Sequence, residues 1–299
     1  MIKRLNIYFK EMYPLVPRAL LGLIVFCEIY FIILLNNGVK EFNFGIEEII
    51  GSFTIFVFLM WLRIADDFKD YELDCRLFSH RPLPSGRVTK KDLKTVLIIL
   101  LPIVTILNFV FMNNFVFFVI LFTYGYLMAM WFFKKNKIQN SLPMALITHN
   151  PVQIILNIYI ITFTCFKYDI NLFSYVTLLA CLTLYFPALI WEISRKIRAP
   201  KNETEYVTYS KLFGYKKAVN FILILTLVDI VTNIILVWKL SIFAVIALVI
   251  NVIIMTIRFV RFKNNPEIYE KLVSKVEQYT YIQEMLMILT IALYILSLK

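Results

Sequence analysis

Charge is scarce in this 299-residue chain. Only 17% of its residues are Asp, Glu, Lys or Arg, against about 25% in ordinary soluble domains. Cysteine is scarce as well. Cys27, Cys75, Cys165 and Cys181 show no metal-ligand spacing and suggest no disulfide framework. Three of them, Cys27, Cys165 and Cys181, lie in or beside apolar segments, where a small core residue is the plain reading. The mixed, basic stretch from Met1 to Arg18 leads into an apolar segment without a small-residue cleavage site, so no cleavable signal peptide is expected. No clean short repeat and no separate soluble domain stand out, so a single domain over 1–299 is expected. Nor is there a visible pair of interrupted helices of the kind transporters use.

What the chain has in abundance is apolar sequence, 60% of all residues. Nine apolar segments can be read, at about 18–36, 48–65, 95–112, 114–133, 143–164, 173–193, 217–238, 241–259 and 278–297. Each is long enough to cross a hydrocarbon core of about 30 Å. An all-α, polytopic membrane protein with nine transmembrane helices follows, because helices satisfy their own backbone hydrogen bonds where no water can.

The distribution of Lys and Arg gives the expected sidedness. Of the 31 such residues, only Lys40, Lys167, Lys239 and Lys299 fall on one side of a nine-span chain, and Arg63 lies within the second segment. All the others fall on the opposite side, which positive-inside bias makes cytoplasmic. The N-terminus is then expected in the cytoplasm and the C-terminus outside. The net charge of +11 becomes largely topological, available to anionic lipid headgroups, and nucleic acid is not an expected partner. No obligate protein partner is evident.

The densest chemistry follows the second segment: Asp66-Asp67-Phe68-Lys69-Asp70-Tyr71-Glu72-Leu73-Asp74, then Arg81-Pro82-Leu83-Pro84-Ser85-Gly86. Asp67, Asp70 and Asp74 recur at i, i+3 and i+7, so on a continuing helix they share one face with Asp66 beside them. Such a stripe repels itself and opposes the partial negative charge of a helix C-terminus. A hard cation such as Mg²⁺ accounts for it, since that ion takes one or two carboxylates together with phosphate oxygens. The plainer alternative is a solvated acidic helix end balanced by Arg63, Lys69 and Arg76. A second rich loop follows the sixth segment, where Glu192 precedes Arg195 and Lys196 by one helical turn. These side chains can be surface ion pairs, or a basic cradle for a diphosphate leaving group.

On these residues the chain resembles the UbiA superfamily of intramembrane prenyltransferases. The family's first motif, Asn-Asp-x-x-Asp-x-x-x-Asp followed by Arg-Pro-Leu-Pro-Ser-Gly, is matched from Asp66 to Gly86, with Asp66 in place of the leading Asn. Thr208-Tyr209-Ser210-Lys211-Leu212-Phe213-Gly214 looks like the segment after the family's second motif. That second motif, of the form Asp-x-x-x-Asp, departs: Glu192 and Lys196 occupy its two positions, with Glu203 and Glu205 as further acidic residues nearby.

The resemblance implies a helical bundle around a central cavity capped by cytoplasmic loops. It implies an isoprenyl diphosphate substrate and Mg²⁺ held by Asp67, Asp70 and Asp74, with Asp66 and Glu192 as further metal candidates. Arg81, Lys134, Arg195, Lys196 and Lys211 become candidate diphosphate contacts, with Lys196 also a stand-in for a second ion. Two outcomes of diphosphate ionisation are expected: transfer to an aromatic or quinone-precursor acceptor, or terpene cyclisation. In the fifth segment Asn150, Gln153 and Asn157 share a face near His149. They are read either as interhelical hydrogen bonding or as acceptor binding, with His149 able to move a proton. Asp229 and Asn233 in the seventh segment carry the same two readings.

Overall fold

The computed structural model describes residues 1–203, 207–267 and 272–298. Among them every regular element is helical. The helices are α1 (Ile2–Glu11), α2 (Leu15–Asn36), α3 (Ile46–Lys69), α4 (Tyr71–Leu77), α5 (Lys90–Phe111), α6 (Phe115–Ala129), α7 (Lys135–Gln139), α8 (Leu142–His149), α9 (Val152–Lys167), α10 (Tyr175–Thr183), α11 (Tyr185–Ser194), α12 (Tyr209–Phe213), α13 (Tyr215–Val237), α14 (Ile242–Asn264) and α15 (Leu272–Ser297). Eight stretches among the described residues are long and apolar enough to span a membrane, and α6 is a shorter ninth. Large apolar side chains such as Ile98, Phe109 and Phe243 face outward, as a lipid solvent allows and water does not.

Local chemistry sets the helix starts. Thr89 and Asp92 form a reciprocal capping box at α5, the Asp92 amide donating to Thr89 Oγ1 and the Thr89 amide to Asp92 Oδ2. Ser174 and Ser241 cap α10 and α14 by accepting from backbone amides three residues on.

Two spans are interrupted, where the sequence showed no visible pair of interrupted helices. The fifth breaks into α8 and α9 at Asn150-Pro151, because proline offers no amide to the carbonyl four residues back and its ring crowds that carbonyl. The sixth breaks into α10 and α11 at Leu184, three residues before Pro187, which likewise cannot donate to Thr183. The expected fourth segment, 114–133, also ends early. α6 stops at Ala129, and Trp131, Phe132 and Phe133 follow with φ of 52°, 48° and 56°. Three consecutive non-glycine residues in the left-handed region cost roughly 1–2 kcal/mol each, and they turn the chain into Lys134.

Contacts divide the chain into two compact units. The first comprises 1–27, 42–135 and 162–169. Here α3 packs against α5 and α6 over a core that includes Tyr8, Tyr13, Met60, Ile64, Leu83, Val88 and Leu93. The approach of α2 to α3 is close: a Cβ on Gly22 would lie 3.0 Å from the backbone nitrogen of Phe56 and the backbone oxygen of Ser52. Small residues at such crossings are the usual basis of helix packing in lipid. The second unit comprises 28–41, 136–161 and 170–299, and is built around α13, which packs on α10, α11, α12 and α14.

Backbone cannot yield as a flexible side chain can, so Gly22→Val is expected to lower stability by about 1–3 kcal/mol. The check is the thermal unfolding temperature in detergent. An unchanged value would mean that α2 and α3 do not depend on this contact.

Candidate functional site

The acidic motif lies in the first unit, at the end of α3 and through α4. The predicted single helix is bent by one residue. Asp70 closes α3 and opens α4 with φ −100° and ψ 10°, while its amide still donates to Asp66 O and the Asp74 amide to Asp70 O, both at 2.9 Å. The four carboxylates therefore stay together. Burial, and then the neighbouring Asp66, Asp74 and Asp67, push the Asp70 carboxyl above its ordinary range, against the pull of Lys69.

Each of the other three carboxylates already has a cationic partner. Asp67, 4% exposed, accepts from Tyr8 Oη at 2.6 Å and from Arg63 Nη2 at 2.8 Å. Asp74 accepts from Arg81 Nη1 at 3.0 and 2.9 Å, and the Arg81 guanidinium lies 4.0 Å from the centre of the Phe78 ring. Asp66 pairs with Lys69 at 3.3 Å. The ammonium of Lys69 also sits 4.3 Å over the Trp131 ring, which opens the left-handed turn before Lys134. Lys134 itself is exposed.

Two of these partners were not singled out from the sequence. Arg63 was read only as a balancing charge, although its i, i+4 spacing to Asp67 was a usable signal. Tyr8 lies fifty-nine positions from Asp67, and no local pattern announces that pairing. It is the one buried residue of α1. This helix is pinned by Arg4, which donates to Asp92 at 2.7 and 2.8 Å, and by Arg87, which donates to Glu11. Burial, and then Asp67, push the Tyr8 hydroxyl up, so it remains a donor. Beside these groups is a polar cavity of about 360 Å³ lined by Glu11, Met12, Arg63, His80, Arg81 and Pro82.

The second loop lies in the second unit. Glu192 accepts from Arg195 Nε and from Lys196 Nζ, the latter at 2.7 Å. These are the i+3 and i+4 pairs that the sequence allowed, and they leave the Glu192 carboxylate compensated. Glu203 accepts from Thr208 Oγ1 and Ser210 Oγ, and the Tyr209 amide donates to Lys196 O at 2.9 Å, so this loop folds back on the end of α11. Lys211 is exposed. Glu205 lies outside the described residues. Tyr209 and Lys217 are among the few polar residues on an otherwise apolar cavity of about 390 Å³ between α8, α11, α12 and α13. Burial, and then Glu192, push the Tyr209 hydroxyl up to about 12.

In the fifth span, Gln153 Nε2 donates to Asn157 Oδ1 at 3.0 Å, and Asn157 Nδ2 donates to Cys181 O in α10 at 2.7 Å. The first bond lies within α9, and the second joins α9 to α10, as the interhelical reading expects. Asn150 closes α8, with a buried Oδ1 that accepts no hydrogen bond, and His149 Nδ1 lies 3.0 Å from Thr148 Oγ1.

Among the described residues, no three His, Cys, Asp or Glu side chains are arranged to hold a metal ion by themselves. The donor set still suits a hard divalent ion. It is all oxygen, its members repel one another, and such an ion needs only one or two carboxylates when phosphate supplies the rest.

The fold and the site define a multi-pass helical membrane protein carrying a compensated aspartate cluster beside an arginine-lined cavity. The chain belongs to the UbiA prenyltransferase family, whose model matches residues 21–276. No curated protein and no solved structure matches the chain.

Tyr8→Phe removes only the hydroxyl that satisfies Asp67. The expected cost is about 1–3 kcal/mol, the penalty for an under-satisfied buried acceptor, read as a lowered unfolding temperature. A variant as stable as wild type would show that Asp67 does not need this donor.

Proposed function

We propose that the chain is a Mg²⁺-dependent integral-membrane prenyltransferase. It ionises an isoprenyl diphosphate and transfers the prenyl group to an aromatic or quinone-precursor acceptor, acting as one UbiA-like domain over 1–299. The observation that carries this reading is the pairing of Asp67 and Asp74 with Arg63 and Arg81 beside a cavity lined by those same arginines. A complex of diphosphate with a divalent ion offers a cation to the carboxylates and an anion to the arginines. Binding then exchanges internal ion pairs for external ones, and no buried charge is left uncompensated.

Asp67, Asp70 and Asp74 would hold the ion, with Asp66 beside them. Glu192 is a further ligand candidate if its own pairs exchange in the same way. Mg²⁺ would neutralise charge on the departing diphosphate. The protein's own cations do the same work: Arg81 by a planar, multi-donor contact, and Lys134, Arg195, Lys196 and Lys211 as mobile positive charges. Fixed cations aimed at developing negative charge favour ionisation of the C–O bond, and a prenyl-binding chamber that excludes water would protect the allylic cation. His149, Asn150, Gln153 and Asn157 are the acceptor-side candidates. The basic loops, the N-terminus and this chemistry face the cytoplasm, with the C-terminus outside.

The alternative is a terpene cyclase, in which the substrate's own double bond attacks the cation. The altered second loop, where Glu192 is compensated by Arg195 and Lys196 just past the end of its helix, is the observation that favours keeping it. Incubating purified protein with Mg²⁺ and a panel of isoprenyl diphosphates, with and without aromatic acceptors, separates the two. Turnover that waits for the acceptor is expected. Cyclic or rearranged hydrocarbon released without one would assign cyclisation, and no diphosphate release under any condition would exclude both.

Asp67→Asn and Asp70→Asn are expected to lower Mg²⁺-dependent turnover by at least two orders of magnitude, the scale of losing one transition-state contact, while expression is retained. Wild-type rates in both would remove the metal assignment. Protons compete with the ion for a carboxyl held above its ordinary range, and the ion binds the deprotonated form. The Mg²⁺ concentration for half-maximal turnover should therefore rise as pH is lowered towards the carboxylate range. A requirement that stays constant with pH would count against Asp70 as a ligand.

A further inference from the structure

Three carboxyl side chains meet inside the second unit, away from either loop. Glu28 lies in α2, Asp229 in α13 and Glu284 in α15, each near the midpoint of a helix long enough to cross the bilayer. Ionisable groups at that depth are costly and rarely without a task.

Asp229 is satisfied. Tyr279 Oη donates to its Oδ2 at 3.1 Å, and Asn233 Nδ2 donates to its Oδ1 at 3.0 Å. Glu28 and Glu284 are not. Both oxygens of each are closed off from solvent and receive no donor from the protein, and the two carboxyl groups lie against each other. Glu28 is 2% exposed. Gln283 is fully buried beside Asp229. The titratable groups facing the pair from α13 and α15 are Asp229 and Tyr279, and no basic side chain is paired with any of the three carboxyl groups among the described residues.

Two touching carboxylates with no donor and no counter-charge cannot both be ionised in a hydrocarbon-depth core, where desolvation and mutual repulsion add. One proton removes both penalties, because the protonated carboxyl becomes the donor that its neighbour lacks. A metal ion is the weaker solution, since these side chains are not arranged to hold one.

We propose that Glu28 and Glu284 form a proton-binding site at mid-membrane depth. The pair holds at least one proton at neutral pH, shared between the two carboxyl groups, and Asp229, Tyr279 and Gln283 form its polar wall. Only an O–H bond is made or broken, and no other group is consumed. Loss of the proton leaves two adjacent negative charges between α2 and α15, so the packing of this unit is sensitive to alkaline pH.

The test is infrared difference spectroscopy of the full chain in lipid, wild type minus Glu28→Gln and wild type minus Glu284→Gln, at neutral pH in H₂O and D₂O. Glutamine is nearly isosteric and brings its own donor, so the variants keep the contact without the proton. A protonated-carboxyl C=O band that shifts in D₂O and is missing from at least one variant is expected. Difference spectra that contain only carboxylate bands would overturn the proposal. If neither variant folds, wild type alone decides: absence of any deuterium-sensitive protonated-carboxyl band at neutral pH also overturns it. A melting temperature that rises with Na⁺ or K⁺ at fixed ionic strength in wild type, but not in the variants, would put a metal cation where the proton is proposed and defeat the proposal too. None of these readouts depends on prenyl transfer, so this site and the transferase reading stand or fall separately.

Discussion

Asp67 is a carboxylate buried where a membrane helix ends, and it persists there because Tyr8 and Arg63 hold it from two directions. An unpaired charge at that position would cost several kcal/mol. The pairing explains why a short amphipathic helix at the N-terminus is fixed so firmly. α1 delivers Tyr8, and it is tied down by Arg4 on Asp92 and by Arg87 on Glu11. The Arg4 contact reaches Asp92, the N3 partner in the capping box of α5. The Arg87 contact reaches the loop that carries Arg81, which in turn holds Asp74. The first unit therefore orders its acidic motif through a connected set of charge-assisted bonds.

On the function proposed above, this arrangement also reconciles two demands. A site for a cation and a polyanion must carry both signs of charge, yet it must be stable when neither is bound. Internal pairing of aspartates with arginines meets the second demand and leaves the first available by exchange. Glu192 with Arg195 and Lys196 repeats the device on a smaller scale in the second unit, using neighbours on a single helix turn.

Much of the fold was legible because its cause is local. Apolar length marked the spans; the caps at Thr89, Ser174 and Ser241 are equally local, though they were not singled out from the sequence. The carboxylates from Asp66 to Asp74 were legible as a cluster because their spacing is helical, and Asp70 bends that helix without dispersing them. What escaped has non-local or weakly encoded causes. Tyr8 is an unremarked aromatic until the fold places it on Asp67. Pro151 and Pro187 were available as signals for broken spans, but apolar windows average across such breaks. The left-handed turn at Trp131 to Phe133 runs against what those residue types prefer, so propensity could not supply it. Glu28 and Glu284 sit singly in long apolar runs, and only packing shows that they meet.

The central claim is that the aspartates and arginines of the first unit exchange their mutual pairs for a divalent ion and a diphosphate together. Calorimetric titration of inorganic diphosphate into the purified protein, with Mg²⁺ and with a chelator, tests it most directly. The account predicts reciprocal coupling: Mg²⁺ strengthens diphosphate binding, and diphosphate strengthens Mg²⁺ binding by the same factor. Diphosphate that binds equally well in the presence of chelator would contradict it.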